Sequence, residues 1–286
     1  MLINMKDLLR VAQENQFGVG AFNIASAEFA RLVIEVAEAQ RSPVILEIHP
    51  DEHEFVGDAF IGYLRELAIT ATVPVVIHQD HGQTFEHIMR AIRTGYTSVM
   101  IDASAVPLED NIEITRRVVE VAHTVNVSVE AELGTIGVAL GSAEGGHSEI
   151  LYTDPAQAEL FVAETGVDTL AVAIGTSHGL YPVGMQPKLD IERLQEIRQR
   201  LNIPLVLHGG SGNKDSEVAE SIQFGVGKIN ISSDMKKAFF VALEEELKGN
   251  SHEPNALFLK PMAAAREVVA HKMRLFSSVG KASLYA

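Results

Sequence analysis

The sequence predicts an α/β chain closed as a (β/α)8 TIM barrel, with additional N- and C-terminal helices. Three observations carry that prediction. Eight short β-rich runs alternate with helix-length segments. Most of the runs are continuous Val/Ile/Leu/Ala stretches, which suits parallel strands buried on both faces. The 286 residues hold no Pro/Gly/Ser linker or charge block, so a single barrel domain over 1–286 is expected. A doubly wound sheet is the alternative, but the chain lacks its glycine fingerprint for a dinucleotide.

The elements follow in order. The opening MLINMKDLLRVAQ mixes charges into an amphipathic helix that would cover the barrel's N-terminal mouth, and it has no signal-peptide core. The first run is GVGAFN (18–23). Behind it Phe29, Val33, Val36 and Ala37 keep a helical period, with Ser26 placed as N-cap. The next runs are PVILEI (43–48), PVVIHQD (74–80), SVMID (98–102) and VSVEAEL (127–133). Asp154 before Pro155 starts a helix, with Gln157 completing a capping box. The last runs are DTLAVAIG (168–175), PLVLHGG (204–210) and GKINIS (227–232). Helices over 190–200 and 215–224 begin similarly at Asp190 and Asp215, and Gly225 stops the second. The tail after about residue 245 supplies the extra helix.

Composition excludes several classes. With no cysteine, the chain is not a disulfide-stapled secreted domain, and any metal site must use His and carboxylates. A formal net charge of −15 argues against a nucleic-acid partner. The 47% hydrophobic and 21% charged fractions are those of a globular protein. No apolar run reaches the roughly 18–20 residues of a membrane span, so no membrane partner and a cytoplasmic location are expected.

Polar residues gather where the runs end, the end at which such barrels carry their chemistry. They are Asn23, then Glu47 and His49, Asp80 and His81, Asp102 and Ser104, Glu132, His178, His208, and finally Asn230, Ser232 and Ser233. His81, His178 and His208 stand out, because three protein ligands and an open position make a catalytic zinc site. His78 is read as structural, inside the barrel. His49, His53, His87, His123, His147, His252 and His271 are read as surface or packing residues. Glu130 and Glu132 share a strand face. One is expected to form an internal salt bridge or Glu132 to face the metal. The turns 209–212 and 230–234 follow the last two runs and suit a phosphate. The glycine-rich stretch 134–153 reads as a lid. A Schiff-base site would need a lysine inside the barrel, and Lys228 is the one obvious candidate.

Taken together, Ala21-Phe22-Asn23, Gln79-Asp80-His81-Gly82, Val99 to Ser104, Val129 to Gly134, Ala171 to Gly179, Leu205 to Gly212 and Lys228-Ile229-Asn230 resemble the class II, metal-dependent ketose-bisphosphate aldolases. The likeness spans most of the chain and is nearest to the short, tagatose-/fructose-bisphosphate branch. The resemblance implies zinc on His81, His178 and His208, with Asp80 as acid/base at the substrate's C4 hydroxyl. It implies cleavage of a ketose bisphosphate to dihydroxyacetone phosphate and an aldehyde phosphate, or the reverse, with Asn23, Gly179, Gly209, Gly210, Ser211, Asn230, Ser232 and Ser233 binding substrate and a monovalent cation (Na+ or K+) nearby. It suggests a homodimer or homotetramer acting on a phosphorylated sugar.

The chain departs from the pattern in four places, one of them Ser233, where the family's last phosphate turn has a threonine. The acidic lid motif is replaced by 137–141 (GVALG), leaving Glu144 or Glu149 as the lid proton carrier. The second run leads into the bulky, acidic 47–52 (EIHPDE). The far-phosphate segment reads Glu253-Pro254-Asn255, with Lys260 where an Arg is common. An aldolase for a deoxy-keto-gluconate phosphate and a non-catalytic sugar-phosphate-binding barrel are the alternatives.

Overall fold

The computed structural model describes residues 1–138, 150–182 and 187–285. Its strands are β1 (Val19–Asn23), β2 (Val44–Ile48), β3 (Val75–Gly82), β4 (Ser98–Ile101), β5 (Ser128–Leu133), β6 (Gly137–Val138), β7 (Thr169–Val172), β8 (Ser177–His178), β9 (Leu205–Leu207) and β10 (Val226–Ile231). Eight of them close into a barrel in the order β1-β10-β9-β7-β5-β4-β3-β2, with every neighbouring pair parallel. The expected (β/α)8 architecture is therefore present.

Alternation along each strand sorts the two faces. Phe22, Leu46, Ile48, Val75, Ile77, Val99 and Ile101 point outward into one large apolar cluster with the surrounding helices. The inward columns begin apolar and turn polar towards the carboxyl ends. Val19, Ala21, Ile45 and Val76 form a separate floor with Met5, Leu8, Leu9 and Phe17. The helix Met5–Glu14 thus plugs the N-terminal mouth, as expected. Burying each such Leu or Met contributes roughly 1.5–3 kcal/mol. Above this floor the columns continue as Asn23, Glu47, His78, Asp80, Glu130, Glu132, Lys228 and Asn230, all buried.

The C-terminal expectation also holds. The helices Ser233–Glu246 and Leu259–Leu275 follow the last strand. Phe239 stacks against Phe29 at 5.0 Å and Phe258 at 5.6 Å, tying this layer to the helix Ala27–Gln40. Ser26 caps that helix through the Phe29 N–H, and Asp190 caps the helix Ile191–Arg200 through the Arg193 N–H.

Two cap readings need correction. Asp154 accepts the N–H groups of Ala156 and Gln157, but Gln157 contributes only its backbone, so the capping box is half made. Asp215 is the first residue of its helix and Lys214 occupies the cap position, so the Asp215 carboxylate pairs with His271 instead.

A further difference bears on the site. The run 168–175 forms a strand only to Val172. Beyond it Ser177–His178 pairs with Gly137–Val138 in a small second sheet above the barrel. Segments of two residues carry no periodicity, so this sheet is invisible in the sequence. No helix among the described residues is long and apolar enough to cross a membrane.

Candidate active site

Strand β3 carries the residues around which the site is built. Strict alternation would send Asp80 inward and His81 outward into the helix layer. The structure turns both to the mouth. The β3–β4 register shifts between Gln79 and Gly82, and His81 has φ +43. A positive φ at a non-glycine residue costs on the order of 1–3 kcal/mol and persists only where the surroundings fix it. Here the Asp102 carboxylate accepts the His81 Nδ1–H at 2.8 Å.

His81, His178 and His208 meet as the sequence predicts. Their ring centroids lie 4.8 Å (81–178), 4.6 Å (81–208) and 5.8 Å (178–208) apart. All three are buried, and each offers a nitrogen within 4.8 Å of the others. The Glu130 carboxylate accepts the His208 Nε2–H at 2.8 Å. Each partner occupies one ring nitrogen, leaving His81 Nε2 and His208 Nδ1 as the two nitrogens free to serve a shared ion. Both of those atoms are buried with no hydrogen-bond partner. Buried polar atoms left so are costly, and a cation satisfies them.

The carboxylates point the same way. Glu132 Oε2 is buried without a hydrogen bond and sits 3.4 Å from His208 Nδ1. Burial, then repulsion from Asp102, push its carboxyl well above the ordinary range. A cation would relieve that. For His81 burial opposes the charged form, but Asp80, Asp102 and Glu132 outweigh it and raise its pKa well above normal. This is a surplus of negative potential at the position of the three rings. The donor set, nitrogen and carboxylate oxygen without thiolate, fits a divalent transition metal such as zinc.

Asp80 is fully buried yet stays ionised. Burial alone would raise its pKa, but His81 and Lys228 hold it well below the usual carboxylate range. Its two oxygens accept from the amides of Asn23 (3.0 Å) and Asn230 (3.2 Å), which clamp it from β1 and β10. The sequence places Asn23 and Asn230 at the site but does not show that they hold Asp80.

Beneath this layer Lys228 is fully buried, with its ammonium 3.3 Å from Glu47 and 3.1 Å from Glu130. Burial opposes its charge, but those two carboxylates outweigh it and push its pKa above the ordinary lysine value. A lysine held protonated is no nucleophile, which removes the Schiff-base alternative. Of the two β5 carboxylates, Glu130 forms an internal salt bridge with Lys228, and Glu132 lies beside His208. His78 is structural as read, with Nδ1 bonded to Ser98 at 2.8 Å.

This ion-pair layer makes a stability prediction. Burial disfavours the Glu130 anion, but Lys228 and His208 outweigh it and lower its pKa to about 2. A lowered carboxyl contributes stability that is present above its ordinary value of 4.5 and lost as pH falls towards 2. Lys228→Met leaves that carboxylate buried without its cation, so its pKa rises instead. The variant is expected to lose about 3–5 kcal/mol near neutral pH and less at about pH 5, where the carboxyl takes a proton. Urea unfolding at the two pH values checks this, and an equal loss at both would contradict it.

The two phosphate-type turns lie side by side. Gly209 has φ +61, and a Cβ there would come within 2.5 Å of the Ser177 carbonyl oxygen. Only glycine lets the β9 turn pass that close to the strand carrying His178. Gly210 donates its N–H to the Asn230 carbonyl at 3.1 Å, joining the β9 turn to β10. Ser211 Oγ accepts the Asp234 N–H at 3.3 Å. Ser232 precedes the helix Ser233–Glu246 but its side chain does not cap it, so Ser211 holds the one helix-start N–H that a side chain meets. Gly179 follows His178 with φ +96. The loop 134–153 is anchored at its feet: Leu151 and Thr135 exchange hydrogen bonds, and Thr153 Oγ1 donates to Leu133. Glu144 and Glu149 lie outside the described residues.

His49 is more than the surface or packing residue expected. It is 4% exposed, and its ring centroid lies 6.3 Å from that of His81. Its Nδ1 accepts the Asp51 N–H at 3.2 Å while Glu52 accepts the His49 N–H at 3.1 Å, a capping box for the helix Pro50–Val56. Histidine is an unusual N-cap, so the sequence gives little warning. Asp102 was visible at a strand end, but its bond to His81 depends on the distorted end of β3. The period-two spacing of Glu130 and Glu132 was the available signal for Glu130.

Residues 3–281 match the protein family described as fructose-bisphosphate aldolase class-II. A fructose-bisphosphate aldolase of Thermus caldophilus is 38% identical, with 99% of this chain and 100% of that protein covered. A 6-phospho-5-dehydro-2-deoxy-D-gluconate aldolase of Bacillus licheniformis is 39% identical over 98% of this chain and 96% of that protein. Among solved structures, the YdjI aldolase of Escherichia coli K12 superposes with a TM-score of 0.88 at 36% identity, covering 99% of this chain and all of that one. The chain belongs to the class-II fructose-bisphosphate aldolase family and is a lyase of that metal-dependent kind, cleaving ketose phosphates by the aldol route.

Proposed function

We propose that this enzyme catalyses the zinc-dependent, reversible cleavage of a ketose (bis)phosphate to dihydroxyacetone phosphate and an aldehyde (phosphate). The observation that carries this reading is the convergence of three buried imidazoles beside an amide-clamped, ionised Asp80. We assign the chemistry to the chain as one domain, acting in the cytoplasm as a homodimer or homotetramer.

His81 through Nε2, His208 through Nδ1, and His178 would hold the zinc, with Glu132 as the adjacent carboxylate. When bound, the ion supplies a Lewis acid for the ketone oxygen next to the breaking bond. Asp80 accepts the C4 hydroxyl proton as the C3–C4 bond breaks and returns it in the reverse direction. Its low pKa keeps the receiving oxygens ionised, and Asn23 and Asn230 fix them towards the substrate. The phosphate of the donor half is held by Gly179, Gly209, Ser211, Ser232 and Ser233 at a helix start that Ser232 leaves uncapped. Gly210 serves by joining the two turns, its own N–H being committed. A monovalent cation (Na+ or K+) would sit beside these turns. In the condensation direction a lid acid, Glu144 or Glu149, would take the proton from dihydroxyacetone phosphate.

A second substrate reading has its own observation. Lys260, at the position expected to serve a far phosphate, is 76% exposed and bound to Glu246 at 2.7 Å. No cation is therefore reserved there for a second phosphate, and a deoxy-keto-gluconate phosphate, whose aldehyde half carries a carboxylate in place of that phosphate, is the second reading. Family membership speaks against the non-catalytic barrel. A panel of ketose bisphosphates and 6-phospho-5-dehydro-2-deoxygluconate, with coupled detection of dihydroxyacetone phosphate, decides between the substrates. Faster release from a bisphosphate supports the first reading, and faster release from the gluconate derivative the second. Release from none would overturn both.

A further inference from the structure

The end of β2 holds a buried donor that the chemistry above does not use. His49 Nε2 is buried and makes no hydrogen bond. Its other nitrogen accepts the Asp51 N–H, so Nδ1 carries the lone pair and Nε2 carries the proton. Leaving such an N–H dry costs about 1–3 kcal/mol. Metal ligation does not explain it, because the three-histidine group excludes His49. The His49 and His81 rings are tilted neighbours, 6.3 Å between centroids, which sets His49 at the wall of the three-histidine site.

We propose that His49 is a specificity-determining residue whose Nε2–H donates a hydrogen bond to a hydroxyl oxygen on the aldehyde half of the substrate. This rests on the aldolase reading above. Three observations select that partner. β2 adjoins β3, which carries Asp80, and lies three strands round the barrel from the β9 turn that would hold the donor phosphate. The capped ring is a neutral donor, not a cation. The Asp51 carboxylate lies 3.8 Å from Nδ1, while the Glu52 carboxylate bonded to the His49 N–H is already paired with Lys236 at 2.7 Å, so Asp51 is the charge that an anion placed here would meet. A hydroxyl satisfies the donor without that repulsion.

The test is the ratio of kcat/KM for glycolaldehyde over acetaldehyde in condensation with dihydroxyacetone phosphate, since these acceptors differ by one hydroxyl. A site built to bond that hydroxyl discriminates against the analogue lacking it. His49→Asn keeps an acceptor for the Asp51 N–H, so the helix cap survives, while His49→Phe removes both functions. In both variants the preference for glycolaldehyde should fall by about tenfold. A merely structural role would slow the two aldehydes alike and leave the ratio unchanged, which would overturn the proposal. Exchange of a dihydroxyacetone phosphate proton with solvent needs no aldehyde and serves as the reference. If the unsubstituted enzyme exchanges but the ratio is insensitive to position 49, the His49 assignment alone fails. If it does not exchange at all, the aldolase reading beneath it fails.

Discussion

His178→Ala should lose its metal and at least about three orders of magnitude in kcat/KM. His178, one of the three proposed ligands, is placed by the two-residue pairing of β8 with β6 and not by a barrel strand. Removing it takes away one of the three nitrogen donors that share the centre. The Lewis-acid contribution is several kcal/mol, and about 4 kcal/mol corresponds to a thousandfold in rate. The fold should persist, because His178 lies outside the barrel's hydrogen-bond ladder and above its apolar floor. Metal content and circular dichroism measured on the same sample separate the two effects. Full activity in this variant would remove His178 from the site.

Asp80→Asn should keep its metal and lose about 10²–10⁴-fold in rate, the usual worth of a positioned acid/base. The substitution is nearly isosteric. Asn23 and Asn230 each have a buried Oδ1 without a partner, so either amide can turn to meet the new NH2 group. Geometry is thereby retained while the proton acceptor is lost. The expected signature is a fall in kcat with little change in KM and unchanged metal stoichiometry. Metal loss together with activity would instead make Asp80 a support for His81, whose Nε2 lies 3.8 Å away. Unchanged cleavage would take it out of the mechanism.

The barrel was legible because its strands are buried on both faces, so each appears as an apolar run whose end is marked by a polar residue. Asn23, Glu47, Asp80, Glu132 and His208 all follow that logic. His81 does not: its inward placement needs a register shift and a positive φ, neither of which a two-residue period can predict. Asp102 and Glu130 act through the histidines they orient, and such pairings appear only when strands distant in sequence are set side by side. His49 is legible as a polar residue at a strand end, but its helix-capping bonds to Asp51 and Glu52 are not, because histidine is an unusual N-cap. Lys228 was read as a possible nucleophile because its position inside the barrel is visible but its two carboxylate partners, 98 residues away in one case, are not.

The central claim is that one divalent ion is bound by His81, His178 and His208 together. Anomalous diffraction at the zinc edge, on crystals of the zinc-loaded enzyme, tests it most directly. The account predicts a single strong peak at bonding distance from His81 Nε2, His208 Nδ1 and a nitrogen of His178. A peak bonded elsewhere, or rings that stay empty under saturating zinc in a fully active enzyme, would contradict it.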